Sequence, residues 1–408
     1  MEPGRSSWCS IVPEYLLREV AENKEASSEV RMAAEKTIEE GRDLFTRFTI
    51  DSGMVGEIAG KTIPVTFDGK PPPALRLERF IWTANGNKTL PGTICLEDAG
   101  TFCLEDQPYT TQVDEVKAVY HRLKHIYDFF YLVFNWRLFD NDGNQLHVSI
   151  NYGHNCMNAY WNGSQIILGQ GSPAGLTGFY TADDVLAHEL THGIISQTSG
   201  LNYRDETGAL SEHLADVFAV LYKQRRNREN EASEASWVIG ESLFPEGNRS
   251  HKVKPQYSAD GYPTDEWIIP GAKGADCYLN PKRTAWNTYW APAYLRSLAE
   301  PKSTSPPQVV RYSKYEKLKY DNGGVHHNSG IPNFAFYTAA IEARGAAWAG
   351  VGKVWFRAMT DPKLRSDSSF ADFAALTISW AEREYPHLKD AIVKGWGVVG
   401  VTPTPRVD

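Results

Sequence analysis

What this chain lacks narrows its function before any motif is read. Among its 408 residues there is no run of about 18 apolar residues, so no segment reads as a membrane-spanning helix. Basic residues are not in excess: Lys and Arg number 42 against 50 Asp and Glu, a formal net charge of −8. That balance argues against nucleic-acid and anionic-membrane partners, which need clustered positive charge. The densest basic run, Arg225-Arg226-Asn227-Arg228, reads as the solvated end of a helix, where positive charge suits the dipole. Five cysteines, Cys9, Cys95, Cys103, Cys156 and Cys277, are too few and too scattered for a disulfide scaffold. Cys95 and Cys103 sit in a small duplication and could pair across a hairpin, but free thiols are expected of a cytosolic chain. No apolar stretch follows Arg5, so a signal peptide is not expected; the protein is placed in the cytoplasm or exported by a non-classical route.

What remains is a chain with 42% hydrophobic and 23% charged residues, long enough to bury large cores and expected to be monomeric. Residues 11–48 read as helical and charged, with few strong apolar faces. Gly and Pro then punctuate the chain up to Pro71-Pro72-Pro73, a semi-rigid linker. From Phe80 the pattern turns to short strands, with turn residues at Asn85-Gly86 and Pro91-Gly92. A helix is expected over about 112–134. Leu146, Val148 and Ile150 alternate with polar residues, the pattern of a half-exposed strand that could pair with an extended peptide. Beyond Thr181 the chain is mostly helical, interrupted by an aromatic, Pro- and Gly-bearing stretch at 242–291 that reads as a lid or as a packed surface excursion.

The chemistry concentrates in Asp184-Val-Leu-Ala-His188-Glu189-Leu-Thr-His192. Histidines four apart share one helical face and can hold one zinc ion, while Glu189 between them points toward a metal-activated water. A catalytic zinc needs a third protein ligand and one open position. Glu212 is the candidate, with Asp216 one turn further on the same face. HExxH also arises by chance, and a histidine on a helix is usually a surface or core residue. Three features argue against chance: Thr181 with Asp184 as a capping signal, Gly200 as a helix stop, and Leu210, Leu214, Val217 and Leu221 as the apolar side of a helix whose other side carries Glu212 and Asp216.

These segments resemble the thermolysin-like neutral metallopeptidases of the gluzincin group. His188-Glu-Leu-Thr-His192 matches the zinc motif, Asn158-Ala-Tyr-Trp-Asn-Gly163 the edge-strand signature, and Asp321-Asn-Gly-Gly-Val-His326-His-Asn-Ser-Gly330 the catalytic-histidine loop. They occur in the family's order from about Phe80 to the C-terminus. The N-terminal Cys9-Ser-Ile-Val-Pro13-Glu-Tyr-Leu-Leu-Arg18 is similar to the short propeptide of the protealysin branch, which fills the precursor's cleft. The resemblance implies an α+β fold of two lobes, strand-rich and then helical, with the zinc helix between them. It divides the chain into a propeptide and linker (1–75), an N-terminal lobe (76–197) and a C-terminal lobe (198–408) carrying the 242–291 insertion.

The resemblance also implies roles. His188, His192 and Glu212 hold zinc and Glu189 is the general base. Tyr203 and His326 stabilise the developing oxyanion, with Asp321 orienting His326 and His327 as a rival. Asp216 accepts from His188, and Ser211 stands where the family usually offers His192 an asparagine. Asn158, the Ala159 carbonyl and Arg296 hold substrate backbone. Val185, Ile239 and Leu295 line an apolar pocket, so cleavage before bulky hydrophobic residues is expected. The family's calcium positions here hold Lys223, Ser236 and Val238 beside Asp184 and Glu241, so the double calcium site is expected to be lost. Processing is expected near Arg76–Phe80, the cleaved segment acting as an inhibitor; Pro13 would extend the chain in the groove and Cys9 offers either a thiolate ligand or a plain thiol. An inactive binding protein is a rival reading, although every catalytic residue type is present. An aminopeptidase would need an acidic group for the substrate amine, which no motif supplies.

Overall fold

Largely buried strands at the centre and more exposed ones at the β2-β3 end build a six-stranded sheet whose order is β1-β5-β6-β4-β2-β3. Its strands are β1 (Trp8–Ser10), β2 (Arg79–Thr83), β3 (Thr93–Glu97), β4 (Leu146–Tyr152), β5 (Ala159–Asn162) and β6 (Gln165–Gly169). The computed structural model describes residues 8–24, 26–51, 77–97, 113–142, 145–173, 175–244, 294–304 and 307–405. β4 runs parallel to both β2 and β6; the other pairings are antiparallel. β4 therefore lies inside the sheet and is buried along almost its whole length, not half-exposed. The peptide-pairing role falls to β5, which accepts β1 from the N-terminal segment.

The N-terminal segment is not weakly apolar. α1 (Glu14–Glu22) buries Tyr15, Leu16, Leu17 and Val20 on one face. α2 (Ser28–Asp51) lies against the strand-rich lobe. The Met157 N–H donates to Thr37 Oγ1 at 2.9 Å, and Leu44 packs with Tyr152, Cys156, Tyr160 and Ile167. Glu14 ties α1 to α2 through Arg42 at 2.7 Å.

α3 (Val113–Phe134) appears where periodicity placed it. α4 (Asp183–Gln197) is buried without a break from Asp184 to Ile195, the signature of a core helix. The expected capping box is not formed: Ala182 is the N-cap, and the Thr181 hydroxyl donates to the Gly178 carbonyl at 2.8 Å instead. Asp183 and Asp184 in the first turn still complement the dipole. Gly200 ends the helix as expected, with φ 58° and its N–H on the Ile195 carbonyl. Gly193 lets α4 approach β5 closely, because a Cβ there would lie 2.9 Å from Phe139 Cβ and 3.2 Å from the Trp161 ring.

α5 (Asp205–Arg226) packs on α4, and Leu210, Leu214, Val217 and Leu221 are all buried. Arg225 and Arg226 do close the helix, with Arg226 paired to Asp183. The helical lobe continues through α6 (Asp321–Asn328), α7 (Gly330–Ala343), α8 (Val351–Met359), α9 (Phe370–Glu384) and α10 (Lys389–Val399). A two-stranded ribbon, β7 (Val238–Ile239) with β8 (Arg296–Ser297), joins the two roots of the insertion. The insertion itself, beyond Phe244, lies outside the described residues, as do Pro71-Pro72-Pro73, Cys103 and Cys277. No described helix is long and apolar enough to cross a membrane.

Candidate active site

α4 and α5 lie side by side and bring His188, His192 and Glu212 together, with one donor atom of each within 4.8 Å of the others and all three buried. The two imidazole Nε2 atoms are 3.0 Å apart. Glu212 Oε1 lies 3.2 Å from His192 Nε2, and Glu212 Oε2 3.5 Å from His188 Nε2. Two nitrogens and a carboxylate converging in a dry interior match the donor set zinc takes. Glu189 supports the fit: it is fully buried, yet among the described residues neither carboxylate oxygen has a hydrogen-bond partner. Such orphan acceptors are costly without a ligand or a water to serve.

Electrostatics follow from burial and neighbours. Burial pushes the Glu189 carboxyl up to about 8, against the pull of His188. Burial opposes the charge on Glu212 too, but His326 and His188 hold its carboxyl well below the usual range. Burial lowers His192 to about 4. For His188, burial is outweighed by Glu212 and Asp216, and the ring rises to about 9.

The supporting residues are in place. His188 Nδ1 lies 3.1 Å from Asp216 Oδ1, and His192 Nδ1 is 3.2 Å from Ser211 Oγ, so the shorter serine does reach. His326 Nδ1 meets Asp321 Oδ1 at 2.5 Å, and the His326 backbone N–H donates to Asp321 Oδ2 at 3.0 Å. That grip needs the left-handed run at the start of α6, where Asp321, Asn322, Gly323 and Gly324 have φ of 54°, 49°, 92° and 86°. A Cβ on Gly323 would fall 2.1 Å from Asp205 Oδ1. The Tyr203 hydroxyl bonds Glu212 and lies 3.5 Å from His326 Nε2. His327 is half-buried, and its backbone carbonyl accepts from the Val309 N–H.

Sequence reasoning missed how Asp216 is shared. Arg296 grips it through Nε at 2.8 and 3.0 Å and Nη2 at 2.8 Å. Asn333 Nδ2 donates to it at 3.0 Å; Asn333 Oδ1 faces His213 Nδ1 at 2.8 Å, and Trp355 Nε1 donates to His213 Nε2 at 2.9 Å. Buried polar groups demand such partners. The signal in the sequence was His213, the one histidine of α5, buried on its inner side.

β1 occupies the cleft. Asn158, Ala159 and Arg296 all contact residues 11–12, with the Ile11 carbonyl on Arg296 Nη1 at 2.6 Å. Pro13 follows, extended at φ −61° and ψ 137°, and turns the chain into α1. Val185, Ile239 and Leu295 are buried in the same apolar cluster as Ile11. Cys9 packs on Tyr203 and Val325 and is not among the converging donors. Burial and the carboxylates of Glu212 and Glu189 push its thiol up, which disfavours a thiolate ligand; nor is it the solvent-exposed thiol the sequence suggested, since Cys9 is buried. Of the expected processing stretch, Arg76 lies outside the described residues, the Glu78 carbonyl accepts from the Leu146 N–H, and Arg79 and Phe80 are in β2, flanked by β4 and β3.

A two-lobed α+β scaffold with HExxH and a downstream glutamate at its centre defines a metallopeptidase class. Comparison with known proteins makes it specific: the descriptions "Thermolysin metallopeptidase, catalytic domain" and "Thermolysin metallopeptidase, alpha-helical domain" match residues 77–196 and residues 199–256 with 283–401. The chain belongs to the thermolysin metallopeptidase family and is a metalloendopeptidase of that family. It is 30% identical over 402 residues to "Protease PrtS" of Photorhabdus sp. (strain Az29), covering 98% of this chain and 94% of that protein. It is 31% identical over 394 residues to "Extracellular metalloprotease" of Pectobacterium carotovorum subsp. carotovorum, covering 96% of each. The structure matches the precursor of protealysin, a metalloproteinase from Serratia proteamaculans, with TM-score 0.70 and 29% identity over 97% of this chain and 100% of that one. The extracellular relative overturns the expected cytoplasmic placement, and with it the cytosolic argument for free thiols. Cys9, Cys95 and Cys156 are buried, and the Cys156 sulfur lies 3.6 Å from the Tyr160 hydroxyl.

Proposed function

We propose that this protein is made as a zymogen and, once unblocked, hydrolyses peptide bonds on the N-terminal side of bulky hydrophobic residues. The observation that carries the reading is the unpartnered, fully buried Glu189 carboxylate beside His188, His192 and Glu212. Those three residues would hold zinc, which supplies Lewis acidity toward water and the scissile carbonyl. Glu189 takes a proton from the attacking water and delivers it to the leaving amine nitrogen, a base role that suits a carboxyl raised by burial. His326 Nε2 and the Tyr203 hydroxyl donate toward the oxygen that gains charge; Asp321 fixes the His326 tautomer so that Nε2 faces the cleft. Asn158, the Ala159 carbonyl and Arg296 align the substrate backbone, and Val185, Ile239 and Leu295 form the apolar pocket. The N-terminal segment inhibits by holding these same groups. Lys223 takes the place of a bound calcium: its ammonium lies 3.5 Å from Asp184 Oδ2 and donates to the Val238 carbonyl.

The test is Glu189→Gln. Zinc content should match wild type while turnover of a mixed peptide library falls about 10²–10⁴-fold or more. Wild-type turnover by the zinc-loaded variant would end this mechanism.

A further inference from the structure

An inhibitory segment can fill a cleft in reverse, or in a register that offers no bond to the catalytic groups. Residues 9–12 do neither. β1 runs antiparallel to β5, with Cys9 opposite Trp161 and Ser10 opposite Tyr160. The Ser10 carbonyl accepts from His326 Nε2 at 2.7 Å. The Ile11 N–H donates to the Ala159 carbonyl at 3.1 Å, and the Ile11 carbonyl accepts from Arg296 Nη1 at 2.6 Å. The Val12 N–H donates to Asn158 Oδ1 at 2.8 Å, and Asn158 Nδ2 donates back to the Val12 carbonyl at 3.1 Å. Ile11 is fully buried in the main apolar core. Among the described residues, one peptide bond thus has its carbonyl on the oxyanion donor and its amide on the substrate-aligning carbonyl: Ser10–Ile11.

We propose that Ser10–Ile11 is the first bond this protein hydrolyses, in cis, before any cut that frees the cleft. The proposal rests on the peptidase reading above. Water adds across the bond: hydroxyl to the Ser10 carbonyl carbon and hydrogen to the Ile11 nitrogen. The products are residues 1–10 ending in a Ser10 carboxylate, and a chain beginning with the Ile11 amine. The nick does not by itself unblock the site. Asn158 and Arg296 still hold Ile11 and Val12, and α1 and α2 remain docked through Thr37 and Leu44. Activity toward other peptides waits on a later cut beyond α2.

The test uses the full chain, purified metal-free and then given zinc at nanomolar protein concentration. Intact mass and N-terminal sequence are followed from the first minutes beside turnover of an added peptide library. An Ile11 N-terminus should form at a rate independent of protein concentration, ahead of library turnover, and not at all in Glu189→Gln. In the metal-free protein, hydrogen exchange should show the Ile11 and Val12 amides protected. Ile11→Asp should lose that protection and slow the nick at least about tenfold, since its carboxylate cannot enter an apolar pocket unpaired. Library cleavage with Ser10–Ile11 intact overturns the proposal and leaves the peptidase reading standing, as does nicking that scales with protein concentration. Free-chain exchange at the Ile11 and Val12 amides overturns it without reference to metal. Failure to cut either bond or library sinks the peptidase reading with it.

Discussion

Lys223→Met tests the proposal that the Lys223 ammonium stands in for a bound calcium. The Lys223 ammonium is 17% exposed and bridges Asp184, 5% exposed, to the Val238 carbonyl. Asp184 Oδ2 also accepts from the Gly240 N–H at 3.0 Å, and Oδ1 from the Val185 N–H at 3.0 Å. Methionine fills the space of the lysine stem but leaves the carboxylate with amide donors and no cation. Breaking a fully buried pair costs about 3–5 kcal/mol, and partial exposure reduces that to roughly 2–3 kcal/mol. At about 2.1 cal/mol/K per residue, a chain of this size loses roughly 1 °C of Tm per kcal/mol, so a fall of about 2–4 °C is expected. Scanning calorimetry with and without calcium is the assay. Wild type should be indifferent to calcium or its chelator, and Lys223→Asp should regain stability only when calcium is added. A wild-type Tm that drops by tens of degrees in a calcium-selective chelator would refute the reasoning, as would an unchanged Lys223→Met.

Other outcomes follow from the same geometry. Glu212→Ala should purify with little zinc, read by elemental analysis, because it removes one of three converging donors. Arg296→Met should destabilise by about 3–5 kcal/mol in denaturant titration by stripping the buried Asp216 of its cation, and should lower library turnover as well. Gly193→Ala should cost about 1–3 kcal/mol, since Phe139 and Trp161 leave no room for a Cβ; an unchanged midpoint would show that α4 can move off β5. Glu40, on the α2 face that docks against the catalytic lobe, has its carboxyl raised by burial against the pull of Lys88 and Lys36. A raised folded value means docking is unpenalised below the unfolded value and weakens as pH rises through the raised one. Protection factors along α2, which allow for base-catalysed exchange, should therefore fall with pH in wild type and hold steady in Glu40→Gln.

The zinc helix and the Glu212 helix were legible because helical period and ligand spacing coincide: His188, His192, Glu212 and Asp216 converge from two helices whose buried residues were readable. The edge-strand role of Asn158–Gly163 and the His326 loop came from resemblance, since neither has a periodicity of its own. Local rules misled where tertiary packing decides. Thr181 and Asp184 look like a cap, yet the chain turns through a short 3₁₀ segment that leaves Thr181 bonding Gly178. Leu146–Ile150 alternates as a half-exposed strand, but its polar face is packed as well: Ser149 is buried, its hydroxyl donating to the Pro91 carbonyl. The network through Asn333, His213 and Trp355 joins residues more than a hundred positions apart, and no local pattern encodes that.

Soluble proteins usually blunt a sheet's outer strand with proline, lysine or a bulge, so that no stranger can add to it. β5 has none of these: Ala159-Tyr160-Trp161-Asn162 is short, uncharged and fully able to pair, because pairing is what its work requires. While β1 is in place that border is closed by the molecule's own chain. Once β1 is gone, the same border is an open template for any extended strand, including one from another copy. The covering segment thus acts also as a chaperone of the edge, and the price of activation is a surface whose solubility depends on how quickly it finds something to cut.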